Sequence, residues 1–430
     1  MFFQTLLARS SAVLGRDVVV TLINFFITTF IANKLGPELF GLWIGCLTFL
    51  LMCDLLFRLK IDQLIVYYSK QYPKNSYLYL KVALLNLYVA LVGGILVFVF
   101  KDSIIGFFNF TSYYFLVLVF INFFLSIFGN IIFYIFLAES RYNLYNLCIL
   151  SQAIINVVCI LMLFHFYDKS IFLPLISLTV SWITVVLFFI FYKIIDPSKN
   201  NNFYSGIDIN NRDILKKGGY IYVSSAVKTL SDQIPKLFAI TFLGPIYVGY
   251  LGLTQLLITL VNRLPIAINT ILFPMLVKDG DDELFKTLAV IRVLMILLVP
   301  IFTVLEIYIP VFIYYLYGEE YSAAAQFIRI LLPFVYIGVP GLILSSYFSA
   351  KGRFKDLFII NLTALSSAVI TLYLIKIISI EYAPIFSLCI TFMTITLMSI
   401  LNILDRISFI DILPKKHDYN MIVKFFKTKN

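Results

Sequence analysis

Apolar runs of about 20 residues, each long enough to cross the hydrocarbon core of a bilayer as a helix, recur along the whole chain. Only 13% of the 430 residues are charged, against about 25% in a typical soluble domain. The sequence therefore predicts an all-α polytopic membrane protein. We expect twelve spans, at about residues 11–33, 38–57, 78–100, 113–137, 145–166, 171–193, 217–242, 247–276, 287–315, 322–347, 355–376 and 383–403.

Lysine and arginine are distributed unequally between the two sides that these spans define. With the N-terminus inside, the outer loops receive only Lys34, Lys101, Lys169 and Lys376, and the positive-inside rule then places both termini in the cytoplasm. Much of the net charge of +10 follows from this asymmetry. No base-reading motif accompanies it, so we expect no nucleic-acid partner.

Two short phrases recur at an offset of about 210 residues. Leu35-Gly36-Pro37 matches Leu243-Gly244-Pro245, and residues 138–142 match residues 350–354. Two matches at one offset indicate an internal repeat, and an even number of spans per repeat gives both halves the same topology. We expect two six-helix bundles around a central cavity. The predicted divisions are residues 1–195 (first bundle), 196–213 (cytoplasmic linker), 214–403 (second bundle) and 404–430 (basic cytoplasmic tail).

Three phrases resemble the multidrug/oligosaccharidyl-lipid/polysaccharide exporter superfamily. Ile31–Trp43 (IANKLGPELFGLW) is similar to the first hairpin of its polysaccharide branch. Leu230–Gln255 is similar to that branch's seventh helix and the turn into the eighth, and Tyr314–Leu331 is similar to its ninth-to-tenth connection. The resemblance implies a MATE-like fold and a Wzx-type flippase for O-antigen or capsule repeat units.

The same resemblance implies what the protein acts on and where. Its substrate would be an undecaprenyl-pyrophosphate-linked oligosaccharide, moved across the bacterial inner membrane for lipopolysaccharide biosynthesis. Transport in the family is taken to be alternating access coupled to a proton or sodium gradient. A polysaccharide polymerase and a chain-length regulator are the implied partners, besides the lipid bilayer itself.

The seventh span carries three charges, Lys228, Asp232 and Lys236, spaced four residues apart on one side of a helix that Pro235 interrupts. Charges at membrane depth are costly and usually functional. They could form a cationic cavity wall for a pyrophosphate, with Asp232 as the ion-coupling carboxylate, or an ion pair that neutralises itself during insertion. Three charges of net +1 do not cancel, which favours the cavity.

The eighth span carries Gln255, Asn262 and Asn269 at heptad spacing, with Arg263 beside the middle amide. Amides at such positions either line a lumen or form hydrogen bonds between helices, and the sequence leaves both open. Arg263 favours the lumen. We therefore assign Asn262 and Arg263 to the substrate cavity, with Lys228 and Lys236.

The first span contains Arg16 and Asp17. Arg16 is close enough to the cytoplasmic end for its side chain to reach the interface, so cavity lining and snorkelling are equally open for it. Asp17 is the second candidate for ion coupling. We assign Arg16 to the substrate cavity and Asp17 to ion coupling.

Glu306 and Arg329 lie on consecutive antiparallel spans, each about 10–14 Å below the predicted outer surface by helical rise. They could form an ion pair. A structural pair and a gate at the outer side are compatible interpretations, and both remain open.

The sequence argues against several other functions. An outer-face polymerase or ligase would need a sizeable outer loop, and a phosphate loop of the GxxxxGK[ST] type is missing, so we do not expect an enzyme. The two histidines and five cysteines have no metal-ligand spacing, so we expect no metal and no cofactor.

The nearest alternative is a multidrug and toxin cation antiporter of the same superfamily. Organic cations favour an acidic and aromatic cavity, whereas the charges inside these spans are mainly positive, which favours an anionic substrate. The basic residues are Arg16, Lys228, Lys236, Arg263 and Arg329, and the acidic ones are Asp17, Asp232 and Glu306.

Overall fold

The computed structural model describes residues 2–58, 65, 76–108, 110, 112–139, 141–195, 211–276 and 283–404, and within these ranges the chain is helical with short connections and no strand. The helices are α1 (Phe2–Phe57), α2 (Ser76–Val99), α3 (Lys101–Phe108), α4 (Tyr113–Ala138), α5 (Tyr142–Phe166), α6 (Phe172–Ile195), α7 (Asn211–Phe242), α8 (Pro245–Val261), α9 (Arg263–Leu276), α10 (Glu283–Tyr317), α11 (Ser322–Ala350), α12 (Phe354–Ile378) and α13 (Ala383–Leu401). The all-α polytopic prediction is confirmed.

The predicted spans correspond to helices in order. Nine helices in the described part of the chain are long and apolar enough to cross a membrane, or ten if the bent pair Pro245–Val261 and Arg263–Asn269 is one span. Val18–Phe57 counts once there, although it covers most of the first predicted span and all of the second. The charged helix α7 carries the seventh. The short helix α3 was not predicted, because eight residues cannot cross a bilayer and leave no span signal.

The repeated Leu-Gly-Pro phrase forms the same turn twice. Gly36 and Gly244 both have positive φ, 76° and 86°, which a residue with a Cβ adopts at a cost. Each is followed by a proline, and Pro245 is the first residue of α8, where proline is favoured because its missing N–H would be unpaired anyway. In the first repeat the phrase divides α1 at Gly36 into two helical segments, and in the second it separates α7 from α8.

The second repeated phrase also forms the same structure twice. The backbone N–H of Arg141 donates to the Phe136 carbonyl at 2.8 Å, and that of Arg353 donates to the Phe348 carbonyl at 2.8 Å. The Arg141 guanidinium pairs with Glu139 at 3.1 Å and lies 4.8 Å from the centre of the Tyr192 ring. This contact ties the turn between α4 and α5 to the end of α6.

Arg353 has the matching role at the turn between α11 and α12. Its Nε pairs with Asp356 at 2.5 Å, and its Nη2 donates to the carbonyl of Asn402, just beyond α13, at 3.4 Å. Each arginine thus links a turn to the end of a later helix.

Contacts between Cα atoms divide the chain into two compact units. One unit comprises Val20–Thr229 and Ala239–Gly249. Its core includes a cluster in which Ile132 and Phe136 of α4, Cys148 of α5 and Val185 of α6 are buried together.

The other unit comprises Met1–Val19, Leu230–Phe238 and Tyr250–Asn430. In it α11 packs against α9, α10 and α13. Glycines at Gly338 and Gly341 of α11 let α13 approach closely, because Phe392 and Thr396 occupy the space where their side chains would be.

Replacing Gly341 with alanine should destabilise this unit, because a Cβ there would lie 3.0 Å from the Thr396 backbone and force α11 and α13 apart. Overpacking of this kind costs about 1–3 kcal/mol, so the thermal midpoint in detergent should fall. Gly45→Ala is the matched control for Gly341→Ala, since a Cβ at Gly45 meets nothing within 4 Å. Equal midpoints for the two variants would contradict this packing.

Candidate substrate and ion site

Helix α7 carries Lys228, Asp232 and Lys236 in one continuous helix with Pro235 inside it. Proline removes one backbone hydrogen bond and weakens the preceding turn. The Nε2 atom of Gln255 donates to the backbone carbonyl oxygen of Asp232 at 3.1 Å. Helix α8 therefore supports α7 at that weakened turn. The proline and this amide together fix the backbone where the charges lie.

The three charged side chains differ in exposure. Lys228 and Asp232 are exposed, whereas Lys236 is buried, with only 9% of its surface accessible. Asp232 and Lys236 interact electrostatically across one turn of the helix. A buried ammonium is costly without a partner, and the Asp232 carboxylate offsets part of that cost.

The bend between α8 and α9 places Asn262 and Arg263 at a break in the helix. The two segments meet at 52°, and Asn262 is the single residue between Val261 and Arg263. The Nε atom of Arg263 is shielded from solvent and has no hydrogen-bond partner among the described residues. Arg263 begins α9, where the helix dipole opposes a positive charge. A bound anion would satisfy this buried donor.

The other two amides of the eighth span bind neighbouring helices. Gln255 supports α7, as described above. The Oγ of Ser346 in α11 donates to the Oδ1 of Asn269 at 2.5 Å. For Gln255 and Asn269, hydrogen bonding between helices is therefore the role that the structure shows.

Glu306 of α10 and Arg329 of α11 form an ion pair, with 3.4 Å between Oε1 and Nε. The second oxygen, Oε2, is shielded from solvent and has no partner among the described residues. Glu306 borders a cavity of about 280 Å³. Its walls are Val299, Phe302, Thr303, Glu306, Ile307, Leu332, Pro333 and Tyr336. Apart from the carboxylate, Thr303 and the Tyr336 hydroxyl, these walls are apolar.

The remaining predicted residues are placed only in part. Arg16 and Asp17 lie in α1, but their side chains are outside the described part of the structure. Lys228 belongs to one compact unit, and Lys236 and Arg263 belong to the other. The shared cationic wall of Lys228, Lys236 and Arg263 therefore stays a prediction, as do the roles of Asp17 and Asp232.

Two polar features were missed by the sequence analysis. Glu283, only 3% exposed, pairs with Lys351 at 2.5 Å and joins the start of α10 to the end of α11. Asn86 of α2 is fully buried, and neither atom of its amide has a partner among the described residues. A lone amide within an apolar run was the only signal for Asn86. No group of three metal-binding side chains occurs in the described ranges.

Comparisons with known proteins place this geometry in context. A family model described as polysaccharide biosynthesis protein matches residues 7–279. A search of curated proteins found no significant match.

Solved structures with the same fold include two transporters and a flippase. A multidrug resistance MATE family transporter of the MOP superfamily, in an inward-facing conformation, aligns with a TM-score of 0.68 at 15% identity, over 90% of this chain and 96% of its own. The lipid II flippase MurJ aligns with a TM-score of 0.66 at 14% identity, over 90% of this chain and 86% of its own. A mutant of the Vibrio cholerae MATE transporter VcmN aligns with a TM-score of 0.61 at 13% identity, over 94% of this chain and 97% of its own. These similarities establish the fold.

Proposed function

Because the chain belongs to the polysaccharide biosynthesis protein family, we propose that it is a flippase for undecaprenyl-pyrophosphate-linked O-antigen or capsule repeat units. It moves them from the cytoplasmic to the periplasmic face of the bacterial inner membrane by ion-coupled alternating access. Both termini lie in the cytoplasm in this proposal, as the distribution of loop lysines and arginines predicts.

The observation that carries the proposal is the unpaired Nε of Arg263 at the break between α8 and α9. A buried guanidinium donor without a partner is unfavourable, and arginine binds phosphate oxygens through several donors at once. A pyrophosphate supplies these acceptors. In this proposal Lys236, Lys228, Asn262 and Arg16 supply further contacts to the headgroup.

Ion coupling is assigned to Asp232 and Asp17. Asp232 is exposed and interacts with Lys236 one turn away. Binding of a proton or a sodium ion at Asp232 would weaken that interaction and leave Lys236 free for an anion. This exchange provides a direct link between the ion and the substrate.

The alternative is a multidrug cation antiporter with the same fold. One observation favours it, because the cavity beside Glu306 contains a carboxylate together with Phe302 and Tyr336, and aromatic rings bind organic cations. Arg329 already neutralises this carboxylate, however, so the cavity has no net attraction for a cation.

Expression of the chain in a strain that lacks its own repeat-unit flippase tests the proposal. We expect surface polysaccharide to return, because the pyrophosphate-linked intermediate can again reach the outer face. The matched control is the same strain carrying an empty vector, with the protein detected in membranes by blotting. If the protein reaches the membrane while polysaccharide stays absent and the cells gain resistance to organic cations, the alternative is correct.

A further inference from the structure

The cavity beside Glu306 is a groove on the surface of the helix pair α10 and α11. Four of its wall residues are exposed and form its rim: Val299, Thr303 and Ile307 on α10, and Pro333 on α11. Val299 and Ile307 are separated by about 12 Å of helical rise, so the groove runs along the two helices. All of its walls belong to one compact unit.

The groove suits an apolar occupant, because its hydroxyl groups already donate within the protein. The Oγ1 of Thr303 donates to the backbone carbonyl oxygen of Val299 at 2.9 Å, and the hydroxyl of Tyr336 donates to that of Met295 at 3.1 Å. Apart from Glu306, the remaining walls are aliphatic or aromatic. In a chain that crosses a membrane, an exposed apolar groove meets lipid tails, which are as apolar as leucine. An acyl chain would fill it.

Arg329 lies at one end of the groove. Its side chain is 55% exposed, and its Nε donates to the Oε1 of Glu306 at 3.4 Å. Arginine has five N–H donors, and those on its Nη atoms bond to no described residue. Arg329 is in the second turn after Ser322, the first residue of α11, and helical side chains lean toward the helix N-terminus. The guanidinium therefore extends along the surface past the end of the groove, where a phosphate would accept its free donors.

Two carboxylates lie beyond Arg329. Glu319 and Glu320 are exposed in the short connection that joins α10 to α11, the two helices that form the groove. From this connection inward the order is therefore carboxylate, guanidinium and apolar groove. A phospholipid with an ethanolamine headgroup has the complementary order of ammonium, phosphate and acyl chain. A lipid with a net negative headgroup would be repelled by the two carboxylates.

We propose that the groove between α10 and α11 binds one phosphatidylethanolamine molecule. Its acyl chain lies between the helices, its phosphate accepts from Arg329, and its ammonium donates to Glu319 and Glu320. Glu306 holds the guanidinium from the protein side and so positions it for the phosphate. The predicted topology puts this site in the outer leaflet. The inference does not depend on which substrate the protein transports.

Native mass spectrometry of the full chain in detergent tests the inference. The probes are phosphatidylethanolamine, phosphatidylcholine and phosphatidylglycerol with identical acyl chains. We expect one phosphatidylethanolamine to bind more tightly than either of the others, because choline has no N–H to donate and the glycerol headgroup leaves a net negative charge. Equal binding of the three lipids, or tighter binding of phosphatidylglycerol, would overturn the inference.

A matched pair of tryptophan variants tests the groove itself. Ile307→Trp should fill it and weaken phosphatidylethanolamine binding at least about tenfold, which corresponds to the loss of about two buried methylene groups. Ile301→Trp is the control, because Ile301 is also exposed on α10 but is not a wall of the groove. Binding that is equal in the two variants would refute the groove as the site.

Charge variants test the headgroup contacts. Arg329→Gln should weaken binding about tenfold or more, because a hydrogen bond to a charged group is lost. The double variant Glu319→Gln, Glu320→Gln should lose the preference for phosphatidylethanolamine over phosphatidylglycerol. Glu381→Gln should keep it, since Glu381 is an exposed carboxylate in a different connection, just before α13. An unchanged preference in the double variant would contradict the inference.

Two further outcomes are also decisive. If Arg329→Gln does not fold, the tryptophan pair and the glutamate variants still decide the matter. Undecaprenyl pyrophosphate that displaces phosphatidylethanolamine one for one would assign the groove to a polyprenyl lipid and overturn the inference.

Discussion

Replacing Arg263 with glutamate is expected to lower substrate affinity about tenfold to a hundredfold or more. A hydrogen bond to a charged group contributes about 1.5–3 kcal/mol, which corresponds to that range by the standard conversion, and a carboxylate would in addition repel a pyrophosphate. The fold should tolerate the change, because Arg263 is the first residue of α9 and an acidic residue is favoured at a helix N-terminus. The rate of flipping should be measured as a function of the concentration of lipid-linked oligosaccharide.

Two further variants make this prediction specific. Arg263→Lys should retain substantial transport because it keeps the charge, although it lacks the planar fork of arginine. Lys355→Glu is the matched control, since it also reverses a basic charge in the first turn of a helix, α12, at an exposed position. Lys228→Glu is expected to impair transport as well. Normal transport by both Arg263→Glu and Lys228→Glu would refute the cationic wall.

The double variant Asp17→Asn, Asp232→Asn is expected to abolish coupled transport while the protein still reaches the membrane. Asparagine keeps the size of each side chain but cannot bind and release a proton. Without the Asp232 carboxylate, Lys236 also loses its electrostatic partner. Lipid-linked repeat units should accumulate on the inner face of the membrane, as measured by their protection from an added periplasmic glycosidase.

An Asp102→Asn variant is the control for this experiment. Asp102 is an exposed carboxylate in the first turn of α3, outside every predicted span, so its loss should not affect transport. Full surface polysaccharide from the double variant would exclude ion coupling through Asp17 and Asp232.

The helices could be predicted from the sequence because a bilayer leaves an apolar run few alternatives. The matched glycines Gly36 and Gly244 were found through the repeat, and the structure gives both the same positive φ. Gly41 and Gly249 lie so close that a Cβ on Gly249 would be 3.4 Å from the Cα of Gly41. This approach could not be predicted, because it depends on how two distant helices cross. The search for membrane-spanning runs also missed α3, because its eight residues are amphipathic and too few to cross a bilayer.

The candidate site was predictable only where neighbouring elements determine it. Glu306 and Arg329 are on consecutive helices, and the rise per residue along each helix predicted a similar depth in the membrane for both. Lys228 and Lys236 were expected on one face, yet one is exposed and the other buried. Eight residues turn a helix about 80° past two full turns at 100° per residue, and Pro235 disturbs the helix between them. Exposure on a bent helix therefore cannot be inferred from spacing alone.

The purified chain in sealed vesicles, with an undecaprenyl-pyrophosphate-linked oligosaccharide in one leaflet, tests the flippase function most directly. We expect the lipid to cross to the other leaflet only when the protein is present, an imposed ion gradient to accelerate this crossing, and Arg263→Glu to slow it. Vesicles that fail to move this lipid under a gradient, yet take up an organic cation such as ethidium, would rule out the flippase and establish the cation antiporter instead.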